Sequence, residues 1–205
     1  MSKTAAGDTR ERLLETAMEL ISTESYASVS VDDICKKAKI KKGSFYYFFP
    51  SKADLAVAAF ENKRKQMKPL LDGIFSSEVP PLQRILDFFE LSRKTQVEKM
   101  NRYGFVCGCA YTSLGSEQGT QNEKLRKVAQ QVLDQNMDYV ESALRDAAEA
   151  GTIPPGDIKQ KTHEVCALYL GVMVRAKIEN NLSPFKDLRP GFYRLVGLSA
   201  AKAAV

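Results

Sequence analysis

Apolar residues recur along most of this chain at the three- and four-residue spacing of a single helix face. No stretch alternates as a half-buried strand would, so an all-α fold is expected. In "DTRERLLETAMELIS", Leu13, Leu14, Ala17, Met18, Leu20 and Ile21 form one stripe, opened by Asp8 and Glu11, with Met1 to Gly7 left as a leader. After the polar link "TESYAS", Ser30 and Asp33 have capping-box spacing and start a short helix that runs to about Ala38. "KKGSFYYF" leaves room for two turns before Pro50, which disfavours helix at Phe49. Ser51 and Asp54 repeat the capping-box spacing and open a long helix to about Phe75, in which Pro69 predicts a kink or an early end.

Beyond "SSEVPP" the helical patterns are longer. Helices are expected at about 82–99, 107–115, 122–150, 158–181 and 188–203, with Gly151, Pro154 and Pro155 stopping the third of these. Three short helices followed by long ones, without an internal repeat, predict two parts: a small module over residues 1–52 and a larger helical bundle over 53–205.

Charge and cysteine content narrow the classes. With 30 basic and 25 acidic residues the net charge is +5, too modest to attract an anionic partner except through a local patch. Such a patch exists, because residues 36–52 hold six lysines and no acidic residue. The polar start has no signal-peptide character and no apolar run is long enough to span a membrane, so a cytoplasmic protein without membrane partners is expected. The four cysteines, Cys35, Cys107, Cys109 and Cys166, lack disulfide-framework spacing and read as thiols.

Two short helices joined by "AKIK" and preceded by a supporting helix have the proportions of a helix-turn-helix. In the second of them, Ser44, Tyr46 and Tyr47 carry groups able to bond phosphates or base edges, and Gly43 allows close backbone approach. Phe45, Phe48 and Phe49 have no polar atom and are expected to face the supporting helices. "GSFYYFFPSKADL" resembles the signature of the TetR-type transcriptional repressors, with "SVSVDDICKKAKI" similar to that family's second helix and turn and "TRERLLETAMELIS" to its first. The resemblance implies a repressor that binds palindromic double-stranded operator DNA as a homodimer through its last two helices and leaves the DNA on a small-molecule or electrophile signal. It implies contacts from Ser30, Lys41, Lys42, Gly43, Ser44, Tyr46, Tyr47 and Lys52. Lys39 stands where the family has a turn glycine, and Lys41 where it has a capping Ser or Thr. The close of the chain, "FYRLVGLSAAKAAV", places Gly197, Ala200, Ala201 and Ala203 where helices of a dimer need small residues.

Two readings of the sensor stay open. Phe88, Phe89, Tyr103, Phe105, Tyr139, Tyr169 and Met173 are candidates to line an apolar effector pocket. In "CGCAYTSLGSE", Gly108, Cys109, Leu114 and Glu117 resemble a motif of the family's electrophile- and oxidant-responsive subgroup, the N-ethylmaleimide repressor type. That resemblance implies a sensing thiol at Cys109, a partner amine at Lys177, and a resolving or bystander role for Cys107. A thiol at a helix start beside an ammonium gains thiolate character. His163 and Cys166, with Cys107 and Cys109, offer four soft ligands, but real zinc sites favour two-residue gaps, so no metal and no other cofactor is expected. The rival functions are a helical thiol enzyme, for which no base constellation accompanies Cys109, and a partner-binding bundle with a vestigial helix-turn-helix.

Overall fold

The computed structural model describes residues 3–199, with side chains from residue 7 onward. The described chain runs α1 (Lys3–Thr23), α2 (Val31–Ala38), α3 (Lys42–Phe48), α4 (Lys52–Ile74), α5 (Pro81–Tyr103), α6 (Ala110–Gln118), α7 (Glu123–Glu149), α8 (Ile158–Ile178), a 3-10 turn (Ser183–Asp187) and α9 (Leu188–Leu195). Among the described residues there is no strand. By packing, the chain forms two compact units: Met1–Lys68 with Cys109–Val132, and Pro69–Gly108 with Leu133–Val205. The expected division at residue 52 concerned function; compactness divides the chain elsewhere, within α4 at Pro69 and within α7.

The first unit folds around α1 to α3. Leu13, Leu14, Ile34, Phe45, Leu55 and Phe60 are fully buried there, and Leu114 and Leu125 from α6 and α7 complete the core. Each such side chain contributes roughly 1.5–3 kcal/mol of transfer free energy. α2 starts on a complete capping box: Ser30 Oγ accepts from Asp33 N–H at 3.1 Å, and Asp33 Oδ2 accepts from Ser30 N–H at 2.9 Å. It ends at Lys39, whose φ of 55° is left-handed, the strained alternative open to a lysine at the family's glycine position. α3 starts at Lys41 with no side-chain cap.

The second unit is built on α5, α8 and the long part of α7. Pro81 occupies the first position of α5, where its missing N–H costs nothing, and Gly104 ends that helix at φ 83°. Buried Arg84 donates to Val79 O at 2.7 Å and pairs with Asp146 of α7, fixing the entry to α5. α8 is capped by Asp157, whose carboxylate accepts from Gln160 N–H at 3.0 Å. α9 packs on α8 through Gly191, where a Cβ would meet Leu168 at 2.8 Å.

Four expectations change. α1 begins at Lys3, so Lys3 to Gly7 belong to a helix. Of the two outcomes expected at Pro69, the early end does not occur, since α4 continues to Ile74, close to the expected bound at Phe75. α6 starts at Ala110, because Gly108 takes φ 71° and turns residues 104–109 into a non-helical segment. α9 stops at Leu195: Gly197 adopts φ 79°, and Leu198 N–H donates back to Tyr193 O at 2.8 Å, the geometry of a glycine helix stop. Gly197 is therefore a terminator with Pro154 against it, and Ala200, Ala201 and Ala203 lie outside the described residues.

Candidate functional site

On α3 the aromatic run splits between core and solvent. Phe45 is fully buried and Phe49 nearly so, with Phe48 packed at the core's edge. Tyr46 and Tyr47 are 51% and 78% exposed, the two adjacent positions a helix turns outward when its i and i+4 residues point in. Each ring touches the phenylalanine beside it edge-on, Tyr46 on Phe45 at 5.1 Å and Tyr47 on Phe48 at 4.9 Å between centroids, yet both stay mostly open to solvent. Gly43 is also exposed, and a Cβ there would meet nothing within 4 Å, so nothing inside the protein requires a glycine. Lys36, Lys39 and Lys41 are exposed as well.

The lysine patch is partly compensated. Lys42 Nζ sits 2.8 Å from an Asp32 carboxylate oxygen and Lys37 Nζ 3.4 Å from Glu19, partners that a count along residues 36–52 misses because they come from α2 and α1. The Lys42 pair is largely exposed and the Lys37 pair partly so, and such pairs hold weakly enough to exchange for another anion. Lys52 is differently engaged. Its ammonium donates to Tyr26 O and Val29 O, both at 2.8 Å, and lies 4.2 Å from the centre of the Tyr26 ring. Burial lowers its pKa, opposed by the Glu117 charge.

Glu117 of α6 completes that arrangement. Its two carboxylate oxygens accept from the N–H groups of Tyr26 at 3.0 Å and Ala27 at 2.6 Å. The link between α1 and α2, which leads directly to the Ser30 cap, is thus held by α6 through its donors and by α4 through its acceptors. The sequence contains Glu117 within a motif but gives no sign of its target, which lies some ninety positions earlier in the chain.

Cys109 immediately precedes α6 as its N-cap residue, partly exposed and making no side-chain cap bond. The next residue, Ala110, is buried, and Tyr111 donates its hydroxyl to Phe60 O at 3.1 Å. Burial pushes that phenol far up, with the nearby Cys109 adding to the rise and Arg64 opposing it. In the second unit, Cys107 is buried; desolvation raises its pKa while Lys99 and Lys177 pull it down. The stem of Lys177 covers Gly108, where a Cβ would come within 3.0 Å of Lys177 Cδ. The segment itself is held by two amides. Buried Gln96 accepts from Gly108 N–H at 2.9 Å and donates to Gly108 O at 3.2 Å, while Asn180 Oδ1 accepts from Val106 N–H at 2.9 Å.

The proposed pocket residues do not all converge. Phe88 and Phe89 of α5 and Tyr169 of α8 line a cleft of about 100 Å³, joined by Met137 and Val140 of α7 and by Val165 and Cys166 of α8. Asn136 is the one amide in its wall, and burial pushes the Cys166 thiol up to about 11. Tyr169 turns its hydroxyl to Ser92 at 2.9 Å. Met173 is buried outside the cleft wall, and Tyr139 stacks on Phe75 and donates to Asp72. Tyr103 and Phe105 pack against each other at the end of α5, away from the cleft. Among the described residues, no group of three or more His, Cys, Asp or Glu side chains is placed to hold a metal, and His163 stands exposed on α8.

α8 also presents an exposed stripe of His163, Ala167, Gly171, Val174 and Ile178, one line of the helix at four- and three-residue steps. Ile178 is 79% exposed, and a Cβ at Gly171 would meet nothing within 4 Å. No helix of the described residues is long and apolar enough to cross a membrane.

Comparison with known proteins agrees with this geometry. Residues 13–59 match the family model of bacterial regulatory proteins of the tetR family, and residues 81–192 match the tetracyclin repressor-like C-terminal domain. The transcriptional regulator AcuR of Cereibacter sphaeroides is 30% identical over 90% of this chain and 83% of its own. The HTH-type transcriptional repressor NemR of Escherichia coli K12 is 27% identical over 91% of this chain and 93% of its own. Among solved structures, a regulatory protein TetR from Rhodobacter sphaeroides superposes with a TM-score of 0.79 at 29% identity, covering 90% of this chain and 97% of that one. Reduced E. coli NemR superposes with a TM-score of 0.79 at 24% identity, covering 94% of this chain and all of that one.

Proposed function

The chain belongs to the TetR family of bacterial regulatory proteins, transcriptional regulators and not enzymes, and on that premise we propose that it represses from a palindromic operator as a homodimer released by an effector. The observation that carries the reading is the outward pair Tyr46 and Tyr47 beside an uncrowded Gly43, on a helix otherwise anchored by buried Phe45. A largely exposed aromatic face on a helix that carries Lys41 and Lys42 at its start suits a major groove. Tyr46, Tyr47, Ser44 and Lys41 are assigned to bases and phosphates, Gly43 to close approach, and Ser30 at the α2 start to a phosphate. Lys42 exchanges Asp32 for a phosphate on binding. Lys52 is assigned to holding the α1–α2 link, since its three donors already face two carbonyls and a ring.

The exposed apolar stripe of α8 supports pairing with a second copy, with Gly171 permitting close helix approach. α9 is assigned to the same pairing surface, as the last of the two helices expected there. A DNA-binding regulator acts where the DNA is, which keeps the cytoplasmic expectation within this proposal.

Release requires that effector and DNA favour different arrangements of the bundle, so their affinities are negatively coupled. One reading places the effector in the cleft between α5, α7 and α8. The other places an electrophile or oxidant on Cys109, with Lys177 as amine partner and Cys107 as the second thiol; NemR is the relative that motivates it. One observation favours keeping it: Cys109 caps the same short helix whose Glu117 holds the α1–α2 link, so a modification there acts on one rigid element that ends at the DNA-reading module.

The test is fluorescence anisotropy of the purified protein on DNA upstream of its own gene, with and without N-ethylmaleimide. Wild type is expected to bind with steep salt dependence, and Tyr47→Ala to bind about 5- to 100-fold more weakly with unchanged melting. Unchanged affinity in Tyr47→Ala overturns the assignment of the reading face. Cys109→Ser is expected to bind DNA as wild type does and to resist release by N-ethylmaleimide; release equal to wild type removes the thiol reading.

A further inference from the structure

We propose that the cleft between α5, α7 and α8 takes a small, uncharged, apolar molecule about the size of one aromatic ring, and that Phe89 sets this size limit. The inference rests on reading these helices as the sensing part, and adds the chemical class of ligand that they admit.

Size comes first. A cleft of about 100 Å³ approaches the engineered cavity of about 150 Å³ that binds benzene, and Met137 in its wall has the flexible, unbranched side chain that lets an apolar site adjust to a guest. A single ring or a short branched chain matches that volume better than two fused rings.

Charge is decided by the wall. Phe88, Phe89, Val140, Val165 and Tyr169 present carbon, Asn136 presents one amide, and no charged side chain lines the space. A carboxylate entering here would lose its hydration without an ion to replace it, a loss that costs several kcal/mol even after relaxation. The Cys166 thiol sits in the same dry surroundings and stays protonated at neutral pH. A neutral ligand of equal size meets none of these penalties, and Asn136 can still bond one polar atom on it.

Phe89 decides what lies beyond. The same ring forms a wall of a second, larger space of about 310 Å³, where Asp87, Glu90, Arg93 and Arg189 supply charge. It is held by Tyr169, stacked at 6.0 Å between centroids and 8° between planes, and by Phe192, edge-on at 5.9 Å. Phe89 is thus a partition between a small apolar space and a large charged one. Removing the ring joins them, and both the size limit and the exclusion of charge should relax together.

The experiment uses full-length protein labelled at methionine methyl groups, without DNA, and titrates toluene, benzoate and naphthalene. In wild type, toluene is expected to shift the Met137 methyl saturably while Met18 and Met67 in the other unit stay put; benzoate and naphthalene leave Met137 unmoved at the same concentration. In Phe89→Ala, naphthalene is expected to bind at least 10-fold more tightly than to wild type. No saturable toluene shift at Met137, benzoate binding equal to toluene, or an unchanged ring-size limit in Phe89→Ala each overturns the proposal. Should Phe89→Ala fail to fold, Phe89→Leu carries the size test, and the contrast of toluene with benzoate in wild type decides the charge test without any variant. Anisotropy on operator DNA separates the two readings. Toluene binding without any effect on DNA affinity removes the effector role and leaves the cleft's chemistry intact; intact repressor behaviour without toluene binding removes the cleft alone.

Discussion

The α1–α2 link of the first unit and residues 104–108 of the second are both non-helical segments held by side chains from elsewhere in their own units, yet they are held by opposite chemistry. The α1–α2 link is gripped by ions, with the Glu117 carboxylate on two N–H groups and the Lys52 ammonium on two carbonyls. Residues 106 and 108 are gripped by neutral amides, Gln96 and Asn180. Burial explains the difference. Ala27 is exposed, so an ion there keeps part of its hydration, whereas Gln96 is 2% exposed and an ion in its place would lose nearly all of it. A charged grip is stronger per bond but feels salt and nearby charges; a neutral, reciprocal grip is insensitive to both. The softer control therefore lies beside the DNA-reading helices, and the rigid hold lies at the double-glycine and cysteine segment that precedes α6.

Breaking the neutral grip has the largest expected effect. Gln96→Ala leaves the buried N–H and C=O of Gly108 without partners, a loss of about 2–5 kcal/mol from two unsatisfied groups, and the melting temperature should fall without dependence on salt. A second substitution, Gln96→Glu, keeps the shape of the native side chain and tests the same idea with a charge. It loses the donor to Gly108 O and buries an ion, and is expected to be no more stable than Gln96→Ala. A salt-dependent loss in Gln96→Ala would contradict the contrast.

The charged grip comes next. Glu117→Ala frees two N–H groups, one of which water can reach, so a stability loss of about 1–2 kcal/mol is expected, smaller at high salt. Operator affinity should fall beyond what the stability loss alone produces, since the link positions α2. A double-mutant cycle with Lys52→Met measures whether the two ends of the grip are coupled; strict additivity would show two independent anchors.

How much of this is legible in the sequence depends on how local each cause is. The start of α2 follows from Ser30 and Asp33, whose capping box closes within one turn, and the split of Phe45 and Phe49 from Tyr46 and Tyr47 follows from helical spacing and the absence of a polar atom on phenylalanine. The end of α9 is misread although its signal, Gly197, is local, because a run of small residues after it continues the helical composition. Glu117, Gln96 and Asn180 are out of reach. Each acts on backbone 12 to 91 positions away, and nothing in their own neighbourhood states the target. Tyr103, Phe105, Tyr139 and Met173 show the converse: aromatic or apolar character is visible in sequence, but the cleft they would share is a property of helix packing.

The α2–α3 link supplies a third case, held by backbone geometry alone. Lys39 takes φ 55°, a conformation that costs an L-residue roughly 1–2 kcal/mol and glycine almost nothing. Lys39→Gly relieves that cost but adds flexibility to the unfolded chain, so a net gain of roughly 0.5 kcal/mol is expected by denaturant titration, with Lys39→Ala giving none of it. A destabilised Lys39→Gly would mean that the lysine side chain supports the turn.

The smallest effect tests whether charge at a link near the DNA-reading module is felt through pH. Ser51 caps the start of α4 by accepting from Asp54 N–H at 3.1 Å, and the Asp54 side chain braces it: one carboxylate oxygen accepts from Ser51 Oγ at 2.7 Å, and the other meets Lys124 Nζ at 2.7 Å. The Lys124 bond first and the Ser51 bond second hold its pKa below the usual 3.8. A carboxylate lowered on folding contributes stability that is present above the unfolded value and is lost as pH falls through the folded one. Melting temperature should therefore drop more steeply below about pH 4 in wild type than in Asp54→Asn, which keeps the cap's shape and removes the charge. The pair is largely solvated on the lysine side, so the difference in slope should be small and should fade with added salt. If Asp54→Asn follows wild type through the acid range at low salt, the ionic contribution at this link is nil, and the contrast between charged and neutral grips narrows to Glu117 and Lys52.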